Sequence, residues 1–150
     1  MALNRRSYTM HRVVLETHEK SIVVGWCGSP ASTRAVEVAT QFAEQHGCPV
    51  DVVLAWDYLN TPRHQPPRHA STEEVTRLLD EVVATAQEHH PSVTVRGTAQ
   101  VGLPVVVIPP KTAQALMLVV GRSEQDLGLF ATWTPDEILR QVRCPVVFVP

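Results

Sequence analysis

Two short segments carry the residues best suited to chemistry. They are Cys27-Gly28-Ser29 and Gly121-Arg122-Ser123, the second followed at once by Glu124. Each closes an apolar run, SIVVGW at 21–26 and LMLVVG at 116–121. A thiol just ahead of a helix N-terminus sits in the favourable field of the helix dipole, which makes Cys27 a candidate nucleophile. A phosphatase-type loop, however, places an arginine six positions after its cysteine. Thr33 stands there, and Arg34 comes one residue late. No acid partner for Cys27 is evident, so the expected role is a buried or half-buried thiol, and the chain is read as non-enzymatic. Arg122 is a candidate for meeting an anion, with Glu124 close enough to neutralise it instead.

The remaining reactive side chains are scattered. Cys27, Cys48 and Cys144 form an odd, widely spaced set, a poor disulfide framework that fits a reducing interior. Cys48 and Cys144 are expected to pack as small hydrophobes. His64 and His69 lie in a proline-rich stretch, DYLNTPRHQPPRHA at 57–70, together with Arg63 and Arg68. His89 and His90 are adjacent at a predicted helix end. A metal site needs convergent ligands, which this spacing does not supply. These histidines are therefore expected to face solvent or make local hydrogen bonds. The 57–70 stretch is expected to be a surface loop, with an anion or a partner as the sharper reading of its arginines.

The elements that must position these groups follow from pattern. The β-branched run at 21–26 lacks alternation, as expected of a strand buried on both faces. Ser29 and Pro30 are a cap and a first helical residue, and Ala35, Val38, Ala39 and Phe42 form a helical stripe that Gly47 ends. PVDVVLAW at 49–56 is a second strand. Ser71 and Glu74 make a capping box ahead of an amphipathic helix bearing Val75, Leu78, Leu79, Val82, Val83 and Ala86. Residues 92–95 begin a third strand. VGLPVVVIPP at 101–110 fits either a strand or a short irregular helix. The helix is favoured because a crossover is needed here, and Pro109 and Pro110 must stop or distort it within two turns. Residues 116–121 give a fourth strand. Thr134-Pro135-Asp136-Glu137 opens a last helix with Ile138, Leu139 and Val142 on its apolar face, and residues 146–149 give a fifth strand. Right-handed crossovers predict a doubly wound five-stranded parallel α/β sheet, order 3-2-1-4-5, with helices on both faces. Its order reversal brings the two chemical segments together in a crevice outside the ends of strands 1 and 4.

Bulk properties narrow the partners. The chain has 150 residues, 44% hydrophobic and 19% charged, enough for one globular domain. It is read as an N-terminal arm over 1–20 and a domain over 21–150. The formal net charge is −2, and arginine supplies eleven of the thirteen basic residues. No positive field calls for nucleic acid. No apolar stretch is long enough to span a bilayer, and residues 1–20 do not read as a secretory signal, so the cytoplasm is the expected location.

Five segments, in this order, carry a resemblance: IVVGWCGSPAS at 22–32, VVLAW at 52–56, VGLP at 101–104, LMLVVGRS at 116–123 and RCPVVFVP at 143–150. Together they resemble the universal stress protein family over 21–150. The resemblance implies the same doubly wound fold, and a family divided into nucleotide-binding and non-binding members. In binding members strand 1 ends in valine-aspartate-glycine-serine, the aspartate contacting the nucleoside of ATP. Here Trp26-Cys27-Gly28-Ser29 matches, and a thiol is a weak stand-in for a carboxylate. Binding members also carry Gly-x-x-Gly, nine residues, then Gly and Ser or Thr, so that backbone N–H groups can cradle phosphate. Gly121 matches the first position and Glu124 occupies the second. Counting forward leaves Thr134-Pro135 at the last pair, and counting back from Cys144-Pro145-Val146 leaves Thr132-Trp133. Gly128 sits at the wrong spacing. The expectation is therefore a non-nucleotide-binding stress-response module without a cofactor, acting by self-association or protein binding. The resemblance implies a homodimer through the apolar C-terminal strand. The alternative is an adenine-nucleotide sensor taking ATP with Mg²⁺ in a modified crevice of Cys27, Gly28, Ser29, Gly121, Arg122 and Glu124.

Overall fold

Ile22–Gly25 forms β1, and every residue in it is buried, as a run without alternation requires. The computed structural model describes residues 20–56, 72–122 and 135–150. After β1 come α1 (Pro30–His46), β2 (Val50–Trp56), α2 (Thr72–His89) and β3 (Val95–Val101). Then follow α3 (Pro104–Lys111), β4 (Met117–Gly121), α4 (Pro135–Gln141) and β5 (Val146–Val149). The five strands form one sheet in the order β3-β2-β1-β4-β5, and every neighbouring pair is parallel. This is the architecture expected from the strand-helix rhythm. β1 is central, with Val24 level with Val52 on one side and Val119 on the other.

Strand alternation divides the core into two layers. Ile22, Val24, Val50, Val52, Leu54 and Val119 pack with Ala35, Val36 and Ala39 of α1 and Val75 and Leu79 of α2. Val23, Val53, Ala55, Leu118 and Val120 point the other way, onto Val107 and Ile108 of α3, Ile138 of α4 and Val142 just beyond it. Each such Val, Leu or Ile contributes about 1.5–3 kcal/mol by burial relative to exposure. Thus α1 and α2 cover one face and α3 and α4 the other. The change of face coincides with the order reversal between β1 and β4.

The helices follow the sequence pattern with informative departures. The Ser29 hydroxyl caps α1 by accepting from Ser32 N–H, Pro30 opens it, and Gly47 ends it at φ 65°. Val38, expected on the apolar stripe, is 41% exposed, and Val36 is buried instead. The buried face runs through Ala31, Ser32, Ala35, Val36, Ala39, Thr40 and Ala43, small residues that bring α1 close to the sheet. In α2, Val75, Leu79 and Ala86 are buried, while Leu78, Val82 and Val83 are half-buried. β3 begins at Val95 rather than at 92, because the chain first turns, with Val93 N–H donating to the His90 carbonyl. α3 resolves the ambiguous VGLPVVVIPP: Val101 ends β3 and the remainder is helical. Pro109 and Pro110 fall in the last turn, and the helix ends beyond them at Thr112, whose N–H donates to Pro109 and Pro110 carbonyls. Ile138 of α4 and Val142 just beyond it reach the core, but Leu139 is 51% exposed. A seven-residue helix presents only one i, i+4 row to the sheet. The 57–70 loop, the Ser71 cap and residues 1–19 of the expected arm lie outside the described residues. Among those described, no helix is long and apolar enough to cross a membrane.

Candidate functional site

The order reversal leaves a crevice outside the C-terminal ends of β1 and β4, where ligands sit in doubly wound sheets. Cys27-Gly28-Ser29 leads from β1 into α1, with Gly28 at φ 83°, a turn that side chains resist. Gly121 ends β4 against the first turn of α1. A Cβ there would lie 2.4 Å from both Ala31 C and Ser32 N. No other residue permits this approach, so Gly121 sets the spacing between β4 and the start of α1.

The polar groups on the β1 side are occupied with one another. Ser29 is 3% exposed and its Oγ accepts the Ser32 N–H at 3.1 Å. Ser32, fully buried, accepts the Cys27 N–H at 3.2 Å and donates its own hydroxyl to the Ser29 carbonyl at 2.9 Å. The Cys27 thiol lies 3.2 Å from Ser29 Oγ and 3.4 Å from Ser32 Oγ. At 2% exposure it lies beneath the surface of the crevice, inside this knot of thiol and hydroxyls. A nucleophile must reach its substrate, and this sulfur does not. Ser32 was not singled out by sequence reasoning. The signal was available, since the residue three beyond a serine cap is placed to touch the turn that precedes it.

On the β4 side the charge is open. Arg122 is exposed, its backbone N–H donates to the Val149 carbonyl, and its guanidinium carbon lies 5.9 Å from the Phe148 ring centroid. No acidic side chain pairs with it among the described residues. Trp26, at the mouth of β1, does not fill the crevice. Its indole packs on the α1–α2 core and Nε1 donates to Thr33 Oγ1 at 3.1 Å. Arg34 Nε donates to the Pro150 carbonyl oxygen at 2.8 Å, tying α1 to the end of β5. The structure thus brings Cys27, Gly28, Ser29, Gly121 and Arg122 to one end of the sheet. Ser123, Glu124, Gly128 and Thr132–Thr134 lie outside the described residues.

Other candidates fall elsewhere. No disulfide joins the three cysteines; Cys48 is buried and Cys144 half-buried, and burial pushes the Cys144 thiol up. His64, His69, Arg63 and Arg68 lie outside the described residues. His89 is exposed as expected, but His90 is buried and meets Glu37 and Glu44 of α1, a cluster sequence reasoning missed. The missed signal was topological. Helices crossing from strand 1 to 2 and from 2 to 3 share a face, so their acids and histidines can meet. Among the described residues no group of three or more His, Cys, Asp or Glu side chains could hold a metal ion. A groove of about 610 Å³ between α3 and α4, lined by Val105, Val106, Pro109, Pro110, Gln141 and Arg143, shares no residue with the crevice.

Residues 19–150 match the family model described as "Universal stress protein family". None of the curated proteins matches the chain by sequence. Among solved structures, a universal stress protein in complex with cAMP is 20% identical, over 89% of this chain and 99% of that one, at a TM-score of 0.60. The universal stress protein from Archaeoglobus fulgidus in complex with dAMP is 18% identical, over 89% and 100%, at 0.64. A family protein from Burkholderia pseudomallei is 21% identical, over 89% and 98%, at 0.64. The expectation of a non-nucleotide-binding protein without a cofactor is thereby corrected, because proteins of this fold and family hold cAMP and dAMP. The physical error lay in weighing two side chains, Cys27 and Glu124, as decisive. A nucleotide cradle is built largely from backbone N–H groups and shape, which survive side-chain replacement.

Proposed function

Since the chain belongs to the universal stress protein family, we propose that it binds an adenine nucleotide in the crevice between β1 and β4, as a sensor with a modified site. The observation that carries this reading is Arg122. It is an exposed guanidinium beside Gly121 at the end of β4, with no acidic partner among the described residues. Such a group offers several N–H donors to a phosphate. Two relatives of the same fold hold adenine nucleotides with a single phosphate, cAMP and dAMP. The buried knot of Cys27, Ser29 and Ser32 then shapes the floor of the site rather than contacting phosphate. The reading is binding without turnover, since Cys27 is out of reach of a ligand.

The test is calorimetric titration with AMP, cAMP and ATP, the last with and without Mg²⁺, after mass spectrometry of any small molecule released on denaturation. Saturable binding near one nucleotide per chain is expected. No released nucleotide and no heat with any of the three would overturn the reading. Self-association is a second reading, favoured by β5. That strand is an edge of the sheet, and Val147 is 38% exposed on it. An apolar edge strand invites a second copy. A light-scattering mass that stays monomeric at high concentration would oppose it.

A further inference from the structure

Two helices on one face of the sheet are joined by charge. His90, just beyond α2, has a side chain 11% exposed. Its Nδ1 lies 2.9 Å from Glu44 Oε2 and its Nε2 2.8 Å from Glu37 Oε1. Both acids stand on α1, seven residues apart and so on one face. A neutral imidazole has one N–H donor and one bare nitrogen, and an ionised carboxylate only accepts. Only the imidazolium donates to both acids at once. The backbone favours the same state: His90 N–H donates to the Ala86 carbonyl at 3.0 Å, continuing the C-terminal turn of α2, where the helix dipole stabilises a cation.

The surroundings hold the backbone around His90 in place. The Gln87 amide donates to the carbonyls of His90 and Val93, and its Oε1 accepts the Val95 N–H at 3.1 Å. Leaving the acids would therefore disturb the turn between α2 and β3 as well. The groups facing the cluster are Glu37 and Glu44 from α1, His89 from α2, whose Nδ1 lies 3.4 Å from Glu37 Oε2, and Ser92 from the turn, 3.4 Å from Glu44 Oε1.

We propose that His90 is a protonated pin fastening the end of α2 to α1, and that its deprotonation on alkalinisation loosens that end. The inference is independent of the nucleotide reading. At 1.5 Å per residue the two acids lie roughly 10 and 20 Å along α1 from Pro30, away from the crevice. Hydrogen bonds from Glu37 and then Glu44 hold the His90 pKa above its ordinary 6.5, and the His90 bond holds Glu37 below its ordinary 4.5. A raised histidine contributes stability that is complete below the unfolded-state value and is lost as pH rises through the folded one. A depressed carboxylate contributes stability present above its unfolded-state value and lost as pH falls through the folded one. The pin is strongest between those two ordinary values and releases on the alkaline side as His90 gives up its proton.

The experiment is a ¹⁵N titration of the histidine rings in the full chain, with amide hydrogen exchange followed in parallel. At a pH between the two ordinary values, both His90 ring nitrogens should carry protons, and the midpoint should lie above 6.5. Glu37→Gln and Glu44→Gln should each lower the midpoint, a one-unit drop being a tenfold change in the protonation ratio. Exchange at residues 88–90 should rise beyond its intrinsic pH dependence as His90 titrates. In urea, wild-type stability should fall across the same window while His90→Gln loses that dependence. Should His90→Gln fail to fold, the wild-type titration still decides. A midpoint at or below 6.5 overturns the pin. A protonated His90 whose loss leaves exchange unchanged overturns the loosening.

Discussion

The two ends of α1 handle polarity in opposite ways. At its start, Cys27, Ser29 and Ser32 satisfy one another with neutral hydrogen bonds, and the nearby cation, Arg122, has no acidic partner among the described residues. Further along, Glu37 and Glu44 close on His90, so that charge is consumed inside the fold. The contrast separates a place where a charged donor has no acidic partner among the described residues from one whose charges are spent on structure. Burial alone would mislead here, because Cys27 and His90 are both buried reactive side chains. What distinguishes the ends is whether a charged donor remains open beside them.

The largest effect on the crevice end should come from Gly121→Ala. The added Cβ would sit 2.4 Å from the backbone of Ala31 and Ser32, and backbone cannot swing aside as a side chain can. Overpacking of this kind should cost about 3 kcal/mol, the upper end of the usual range. It is read as a shift of the urea midpoint at unchanged slope. A loss under about 0.5 kcal/mol, within the range of an ordinary surface change, would mean that β4 and α1 are not pressed together as described. Next comes Ser32→Ala, which strands the buried Cys27 N–H. An unsatisfied buried donor of this type costs about 2 kcal/mol. Ser29→Ala serves as the comparison, because losing a helix cap costs about 1 kcal/mol. If the two losses came out in the reverse order, the knot would be a cap with incidental neighbours.

Much of this was legible in the sequence, for reasons that can be stated. The unalternating runs at 22–25 and 117–121 could only be buried strands, and once strand and helix alternate, handedness nearly dictates the order. Gly121 and Arg122 were therefore expected at the end of the fourth strand from chain order alone, and they lie there. The exposure of Val38 and Leu139 was not legible, because a helical stripe leaves its centre uncertain by one residue until the sheet is present. Nor was the burial of Cys27. Its position was predicted, but the side chain's direction depends on the Ser32 hydroxyl reaching back across five residues. The His90 cluster was hidden for a related reason, since its members are 46 and 53 residues apart and meet only through the packing of two helices.

The smallest effect on folding bears most directly on function. Arg122→Ala should leave folding almost untouched, because the side chain is exposed and its one ring contact among the described residues is with Phe148, worth about 0.5–1 kcal/mol at such a site. Its effect on a phosphorylated nucleotide should be about tenfold weaker binding, or about 1.4 kcal/mol, a charge-assisted hydrogen bond's worth. Adenosine, which lacks the phosphate, should bind equally to both proteins. The informative quantity is the ratio of AMP to adenosine affinity in each protein. If Arg122→Ala lowers both ligands alike, the arginine only supports the crevice through Phe148. If it lowers neither, then the open cation at this end of α1 is no more available to a ligand than the acids that close on His90 at the other.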